Sequence, residues 1–326
     1  MVNNTGLFVY FGSGLFVTLS FVYSVIIFFS HKPRAIHDSE LYYETVLLNN
    51  KGIDPIKYRL PDHSKESLNP LDNIKVSLVI PCYNEIKRLK IMLDEAIGYL
   101  QENYDSEWEI IIVDDGSSDG TADYSLELAN EVFKLKPGQI RVVKLVKNRG
   151  KGGAVAHGLK FIRGEFGIFA DADGASKFSD LSKLVQSISS FPKETGAIAI
   201  GSRAHMVTSD AVVKRSLIRN FLMYSLHTLV FIFGIREIKD TQCGFKLFNR
   251  KAIWEIFPYL HTEGWIFDVE VLIIAIRKKI PIKEVPISWH EVDGSKVDLA
   301  RDSINMAIDL VITRLAYILG IYRDTK

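Results

Sequence analysis

The stretch that decides the fold is G-E-F-G-I-F-A-D-A-D-G-A-S-K-F, residues 164–178. Its apolar run predicts a short buried strand that ends in Asp171-Ala172-Asp173, and Gly174 then permits a turn. Ligands of open α/β sheets bind at the carboxyl ends of the strands. Carboxylates at that edge suit a hard divalent cation that also takes phosphate oxygens. We therefore expect Asp171 and Asp173 to hold a metal-bound nucleotide diphosphate; the alternative is a solvated turn, where Asp and Gly are common.

The segments before this stretch alternate between strand and helix patterns. Apolar runs predict strands at 75–80, 108–113 and 140–145, and helical patterns follow at 86–100, 122–133 and 154–162. Each predicted strand leads into a polar turn. The alternation predicts a parallel α/β sheet with right-handed crossovers, whose polar turns share one binding edge. The second half is less regular, with strand patterns at 197–200, 241–248 and 280–289.

Three of these turns supply candidate ligands for a nucleotide. Asp114 or Asp115 is expected to accept hydrogen bonds from a base or ribose, with Pro81 and Tyr83 packed beside the base, whereas Asp119 is expected to cap a helix. Residues 148–153, N-R-G-K-G-G, resemble an anion-binding turn at a helix N-terminus, to which Arg149 and Lys151 add charge. The turn lacks P-loop spacing, and a dinucleotide motif is missing after the first strand. The full set of candidates is Pro81, Tyr83, Glu85, Asp114, Asp115, Lys151, Asp171, Ala172 and Asp173.

The first 30 residues give the clearest topological signal. Residues 6–30 carry no charged side chain, and a helix of about 20 residues is enough to span a bilayer. Lys32 and Arg34 follow, so the positive-inside rule predicts a lumenal N-terminus and a cytosolic domain. We expect an uncleaved anchor rather than a signal peptide, because a basic n-region and a small-residue cleavage site are missing.

The remaining boundaries follow from composition. We expect a lumenal tip and anchor at 1–30, a polar linker or collar at 31–73, one α/β domain at 74–298 and an amphipathic helix at 299–326. Within the domain, the uncharged run 220–235 is short for a membrane span; it is expected to be a core helix or a helix in the membrane interface.

The overall composition excludes several classes of protein. The chain of 326 residues is 47% hydrophobic and 24% charged, as in folded proteins. A formal net charge of +1 gives no preference for nucleic acid. Two cysteines, Cys82 and Cys243, are too few for a disulfide scaffold and suit a reducing compartment.

Four motifs together carry a resemblance to a known family. They read I-P-C-Y-N-E at 80–85, V-D-D-G-S-S-D-G-T at 113–121, N-R-G-K-G-G-A at 148–154 and D-A-D-G at 171–174. In combination they resemble the family-2 glycosyltransferases of the GT-A fold, over residues 75–296. The implied fold is a Rossmann-like α/β architecture: a mixed, mostly parallel sheet flanked by helices, here with one N-terminal transmembrane helix and interfacial helices.

The later motifs narrow the resemblance. G-S-R-A-H at 201–205, D-T-Q-C-G-F-K at 240–246, E-G-W-I-F-D-V-E at 263–270 and W-H-E-V-D-G-S-K at 289–296 are similar to the members that make dolichyl-phosphate glucose at the endoplasmic reticulum. The resemblance implies UDP-glucose as donor, Mg²⁺ or Mn²⁺ as cofactor, and inversion to a β-linked product that supplies N-glycosylation. Asp171 and Asp173 would be metal ligands. Gln242 would either join them or bond the backbone at a strand end.

The implied acceptor, dolichyl phosphate, is already anionic near neutral pH, since its second pKa is about 6. It therefore requires cations rather than a general base. The candidates for binding its phosphate are Arg203, Arg215, Arg219 and Lys296. Arg203 follows a strand and is favoured, whereas Arg215 and Arg219 equally suit a solvated helix face or contacts with lipid headgroups.

Asp268 matches the acid that family members use as base for sugar-hydroxyl acceptors. With a phosphate acceptor, it is expected to hold a glucose hydroxyl or to position the site; the alternative is an acid at a helix start. Trp265 and Phe267 either face the sugar or pack in the core. The expected catalytic residues are Asp173, Asp268 and Arg203.

Other functions stay open at this point. A related enzyme that uses GDP-mannose is the second choice, since the residues after Asp173 differ from the mannose-transferring pattern. A membrane-anchored sugar-nucleotide-binding protein without transfer activity is a further alternative. Membrane lipid is an expected partner, nucleic acid is not, and a homo-oligomer is an open alternative for the assembly. A polysaccharide synthase is disfavoured because the Q-x-x-R-W signature is missing.

Overall fold

The computed structural model describes residues 4–46, 56–61, 71–206, 228, 235, 237–292 and 299–325. The strands are β1 Tyr42–Thr45, β2 Ile56–Arg59, β3 Val76–Cys82, β4 Trp108–Asp114, β5 Ile140–Lys144, β6 Phe166–Ala170, β7 Ile198–Ser202, β8 Phe245–Asn249 and β9 Ile282–Pro286. The α-helices are α1 Asn4–Phe29, α2 Leu89–Tyr104, α3 Thr121–Glu127, α4 Lys151–Lys160, α5 Leu181–Ile188, α6 Arg250–Ile256, α7 Phe267–Arg277 and α8 Leu299–Ile318. Short 3₁₀ helices lie at Asp38–Leu41, Phe178–Asp180, Ala204–Met206 and Phe257–Tyr259, and a π-helical turn at Leu128–Val132 follows α3.

The strands form one mixed sheet in the order β2-β1-β5-β4-β3-β6-β8-β7-β9. The centre, β5-β4-β3-β6, is parallel, and β8 joins β6 antiparallel. β7 is antiparallel to β8 and parallel to β9. The predicted mixed α/β fold is therefore confirmed, but the sheet is parallel mostly at its centre: four of its eight strand pairings are parallel and four are antiparallel.

Both faces of the sheet are covered, which explains the apolar runs. All seven residues of β4 are buried. Along β3, Val79 packs in the core beneath α4, α6 and α7, while Leu78 and Ile80 pack in the core beneath α2, α3 and α5. Strands buried on both faces are apolar at almost every position, so the sequence located the central strands closely.

Part of segment 31–73 differs from the predicted linker. β1 pairs with β5 and with β2, and so extends the sheet by two strands. The Thr45 hydroxyl donates to the Ile140 carbonyl at 2.7 Å, and Glu40 is fully buried against Arg34 at 2.5 Å. These strands are four residues long and rich in polar side chains, so no periodic pattern marked them.

The N-terminal segment forms α1, a helix of 26 residues that contacts α8. At 1.5 Å per residue, α1 is about 39 Å long. Over the part of the chain that the structure describes, no helix combines the length and apolar character needed to cross a membrane. The predicted C-terminal helix is present as α8. Segment 220–235, apart from residues 228 and 235, lies outside the described residues.

Candidate active site

The motifs meet at the carboxyl ends of the central strands. Cys82 of β3 lies beside Asp114 of β4 in the parallel register, and β6 adjoins β3 on the other side. The turns after these strands are tied together: the Asn84 amide donates to Ser117 Oγ, and Asn84 Oδ1 accepts from the Ser118 amide, both at 2.8 Å. The predicted donor residues after β3, β4 and β6 therefore lie along one edge.

Asp171 lies immediately after β6, and a glycine makes room for it. Its amide donates to the Gly244 carbonyl at 3.2 Å, and Lys151 Nζ lies 2.6 Å from its Oδ1. A Cβ on Gly244 would lie 2.1 Å from Asp171 Oδ2, far inside van der Waals contact. Only a residue without a side chain lets this carboxylate lie where it does.

Asp173 lies two residues after Asp171 in the same loop. Its Oδ1 accepts from the Ala175 amide at 3.0 Å, and its Oδ2 lies 4.0 Å from Arg88 Nη1. Burial and the negative charge of Asp171 raise the pKa of Asp173. Two like charges held close together at a strand end would be relieved by a cation.

The donor set fits a hard divalent cation shared with a diphosphate. Asp171 and Asp173 supply carboxylate oxygens, which Mg²⁺ and Mn²⁺ prefer. Among the described residues, no cluster of three or more His, Cys, Asp or Glu side chains could hold a metal alone. The remaining ligands would come from phosphate oxygens and water, as is usual for Mg²⁺. Gln242 lies half-buried, two residues before Gly244, in a turn that leads into β8.

Asp114 and Asp115 are adjacent but differ in their partners. Asp115 accepts the backbone amides of Arg149 at 2.7 Å and Gly150 at 2.9 Å. Burial raises the pKa of Asp115 to about 7. Asp114 Oδ1 is buried and has no hydrogen-bond partner among the described residues. Asp115 therefore holds the glycine-rich turn, and Asp114 is the acid with an oxygen left for a ligand.

Glu85 forms a two-point ion pair that the sequence analysis did not anticipate. Arg88 donates through Nε and Nη2 to the two Glu85 oxygens at 2.9 and 2.7 Å. Arg88 thus lies between Glu85 and Asp173. The available signal for this ion pair in the sequence was the position of Arg88, three residues after Glu85 and at the start of α2. Tyr83 is 44% exposed at the edge, and Pro81 is half-buried.

The two cations of the glycine-rich turn, Arg149 and Lys151, contact different groups. Lys151 points to Asp171, as described above. The Arg149 guanidinium instead bonds Glu263, with Nε 2.8 Å from Oε1, and the Arg34 carbonyl at 2.8 Å. The prediction that Arg149 adds charge to an anion site is therefore wrong, because its donors bind protein groups.

Asp119 and Phe267 have structural contacts. Asp119 Oδ1 accepts from the amide of Thr121 at 3.0 Å, at the start of α3. The N-cap position is occupied by Gly120, so Asp119 supports the start of the helix but is not the N-cap that was predicted. Phe267 is fully buried, and a Cβ on Gly152 would lie 2.4 Å from the Phe267 Cβ. Trp265 is 38% exposed, with Lys151 Nζ 5.9 Å from its ring centroid. Of the two aromatics, Trp265 is the one at the edge.

Asp268 is buried with a lysine that the sequence analysis missed. Its Oδ1 lies 2.5 Å from Lys246 Nζ, and Lys246, fully buried on β8, also donates to the Cys243 carbonyl at 2.7 Å. Burial raises the pKa of Asp268, although Lys246 opposes the shift. A lysine inside the apolar stretch F-K-L-F was the only signal for this partner.

Arg203 is held in a fixed position after β7. Its Nε and Nη2 donate to the two Asp240 oxygens at 2.8 and 2.9 Å, and its guanidinium lies 5.5 Å from the Trp289 ring centroid. Its side chain is 32% exposed. Arg215, Arg219 and Lys296, the other predicted acceptor cations, lie outside the described residues.

Comparison with known proteins places this geometry in context. The Glycosyl transferase family 2 sequence model matches residues 77–257. The chain is 58% identical to dolichyl-phosphate beta-glucosyltransferase of Saccharomyces cerevisiae, over 94% of this chain and 92% of that protein. It is 42% identical to the Homo sapiens protein of the same name, over 90% of this chain and 88% of that protein.

Solved structures support the fold alone. Glucosyl-3-phosphoglycerate synthase from Mycobacterium tuberculosis in complex with uridine diphosphate superposes with a TM-score of 0.54 at 17% identity, covering 74% of this chain and 79% of that one. The same synthase with Mn²⁺, UDP-glucose and phosphoglyceric acid gives a TM-score of 0.53 at 18% identity, with the same coverage.

Proposed function

The chain belongs to glycosyl transferase family 2 and, within it, to the dolichyl-phosphate β-glucosyltransferases, and we propose that it transfers glucose from UDP-glucose to dolichyl phosphate. The products are dolichyl β-D-glucosyl phosphate, which supplies glucose for N-glycosylation, and UDP. The observation that carries the proposal is the pair Asp171 and Asp173 at the end of β6, with Lys151 beside it and the glycine that makes room for it.

Donor binding is assigned to the edge described above. Asp114 Oδ1 is suited to accept an N–H of the base, and Tyr83 offers an exposed ring beside it. Asp171 and Asp173, with Gln242 as the third candidate, would hold the metal. Bound Mg²⁺ or Mn²⁺ would supply Lewis-acid stabilisation of the UDP leaving group. Lys151 adds a positive charge on the same side.

The transfer step needs no proton removal. A phosphate oxygen of the acceptor attacks the anomeric carbon, the bond from that carbon to the diphosphate oxygen breaks, and UDP leaves with the electron pair. Direct displacement inverts the α-linked donor to a β-linked product. Asp268 is consistent with this route, since its carboxylate is paired with Lys246 and need not act as a base. Its proposed role is to position the site.

Arg203 is the described cation proposed to meet the acceptor phosphate. Asp240 fixes two of its nitrogens, so the guanidinium loses little freedom when it binds an anion. Its Nη1 has no hydrogen bond among the described residues and could donate to a phosphate oxygen. Arg215, Arg219 and Lys296 remain proposals for the same phosphate.

We further propose that α1 anchors the chain in the endoplasmic reticulum membrane, with the domain in the cytosol. Support comes from the uncharged residues 6–30, from the exposure of Phe16, Phe21 and Phe28 at 72%, 69% and 80%, and from the basic residues that follow. Segment 220–235 is proposed to lie in the interface near the dolichyl chain. We expect the chain to resist carbonate extraction, and we expect protease to digest its C-terminus in intact microsomes. Release by carbonate would refute the anchor.

The central test is glucosyl transfer by the full chain in detergent. Radiolabelled UDP-glucose or GDP-mannose is mixed with dolichyl phosphate and Mn²⁺ or Mg²⁺, and lipid-extractable label is counted. We expect label from UDP-glucose only, lost in Asp173→Asn and retained in Asp94→Asn, a control on the exposed face of α2. Label from GDP-mannose would overturn the donor. Tight UDP-glucose binding without transfer would overturn the enzyme assignment.

A further inference from the structure

The segment that follows α1 contacts the C-terminal end of the chain through His31. The His31 amide donates to the Tyr322 hydroxyl at 2.5 Å, and the ring Nδ1 lies 3.1 Å from the same oxygen. The ring Nε2 lies 3.1 Å from Asp309 Oδ1 on α8. His31 is thus held at three points.

Tyr322 also contacts the loop before α7, and so links that loop to His31. Its ring stacks on His261 with centroids 3.8 Å apart and planes 3° apart. His261 Nδ1 lies 3.0 Å from Glu270 Oε1. Glu270 is fully buried on α7 and also accepts from the Thr262 amide at 2.7 Å and the Tyr317 hydroxyl at 2.9 Å. The position of loop 261–265 is therefore linked to that of His31.

Arg34 gives a second link to the same loop. Its carbonyl accepts from Arg149 Nη2 at 2.8 Å, and its amide lies 3.4 Å from Glu263 Oε2. Arg149 bonds Glu263 as well. The cavity left between this segment and the glycine-rich turn measures about 20 Å³, room for about one water molecule.

Loop 261–265 in turn packs directly on the glycine-rich turn. The Gly153 amide donates to the Glu263 carbonyl at 3.0 Å, and a Cβ on Gly150 would lie 2.6 Å from that oxygen. The contact leaves no space for independent movement of the two segments. A shift of the loop must therefore shift the turn, and with it Lys151, which contacts Asp171.

We propose that His31 is a positioning residue for the donor site: together with the backbone of Arg34, it clamps loop 261–265 against the glycine-rich turn and so fixes Lys151 beside Asp171. The segment after α1 then helps to hold the donor site in position and does not merely connect α1 to the domain. The kinetic part of this inference rests on the proposed transfer from UDP-glucose; the structural part does not.

The test compares full-chain His31→Ala and Tyr322→Phe with wild type. Tyr322→Phe keeps the ring that stacks on His261 and removes only the hydroxyl bound by His31. Lys32→Ala is the control, since Lys32 lies between His31 and Arg34 and is exposed. Amide hydrogen exchange is followed in peptides covering 148–156 and 261–267, and KM is measured separately for UDP-glucose and dolichyl phosphate.

We expect both peptides to exchange about tenfold faster in His31→Ala and Tyr322→Phe, which is the factor for losing about one hydrogen bond. The KM for UDP-glucose should rise about three- to tenfold, while the KM for dolichyl phosphate changes less than twofold. A purely structural role would speed exchange throughout the domain without this difference between the two KM values. That result would overturn the proposal.

Unchanged exchange in both peptides of Tyr322→Phe would also overturn it, whatever the kinetics. If the wild-type chain transferred no glucose, the proposed function would fail, and the exchange measurements would still decide whether the segment holds the turn. If His31→Ala does not fold, Tyr322→Phe carries the same test with a smaller perturbation.

Discussion

Replacing Gly244 with alanine is the sharpest test of the candidate metal site. A Cβ at this position would lie 2.1 Å from Oδ2, 2.4 Å from Cγ and 2.7 Å from Oδ1 of Asp171. Ordinary contacts between carbon and oxygen are more than 3 Å, so the Asp171 carboxylate must move by about 1 Å. Misplacement of a catalytic group by about 1 Å can reduce the rate about 100-fold.

The backbone itself should accept the substitution. Gly244 lies immediately before the buried strand β8 and does not adopt a left-handed conformation, so alanine adds no left-handed backbone strain there. The clash is with one side chain, Asp171, which is 36% exposed and can rotate towards solvent. We therefore expect loss of activity with only a modest loss of stability.

The assay measures kcat for glucosyl transfer, Mn²⁺ affinity and thermal unfolding of Gly244→Ala. We expect kcat to fall about 100-fold and Mn²⁺ binding to weaken about tenfold or more, while the unfolding temperature changes by a few degrees. Gly98→Ala on α2 is the matched control, because no atom lies within 4 Å of its new Cβ. Wild-type kcat and Mn²⁺ affinity in Gly244→Ala would refute the placement of Asp171 in the metal site.

Three further predictions address the acids around this site. Asp114→Asn should weaken UDP binding about tenfold in calorimetry, since its unpaired oxygen is assigned to the base; unchanged affinity would remove Asp114 from the donor site. Lys246→Met leaves Asp268 buried without its cation and should cost about 3–5 kcal/mol of stability; thermal unfolding should show most of the loss restored by adding Asp268→Asn, and no restoration would refute the pairing. Because burial and Asp171 raise the pKa of Asp173, protons compete with the cation, so Mn²⁺ affinity should fall as pH falls through that raised pKa; titration by calorimetry should show a flatter pH dependence in Asp173→Asn, and EDTA should abolish transfer.

The central fold was predictable because its strands are buried on both faces. Residues 108–113 and 166–170 lie within or coincide with β4 and β6. The edge strands were not predictable in the same way. Residues 42–45 carry Glu44, which is buried against Lys57 and Lys144, so charge pairing across strands stabilises what periodicity could not reveal.

At the candidate site, the sequence predicted which residue types gather but not how they pair. Asp115 and Arg149 are 34 positions apart, Arg149 and Glu263 are 114 apart, and Lys246 and Asp268 are 22 apart. Such partners are chosen by side-chain geometry between elements, and no local pattern encodes them. The assignment of Arg149 to an anion site failed for this reason.

Acids that look equivalent in the sequence also differ in how many of their oxygens have hydrogen-bond or ion-pair partners in the structure. Glu85, Asp115 and Asp268 each have protein donors close to their oxygens, and a second partner would have to displace one. Asp114 keeps an oxygen without a partner. Asp171 and Asp173 keep 36% and 27% of their side chains exposed beside each other. Exposed carboxylate surface is therefore concentrated at Asp171 and Asp173, although Lys151 pairs with one Asp171 oxygen. The protein donors on Glu85, Asp115 and Asp268 keep those acids from competing for a cation.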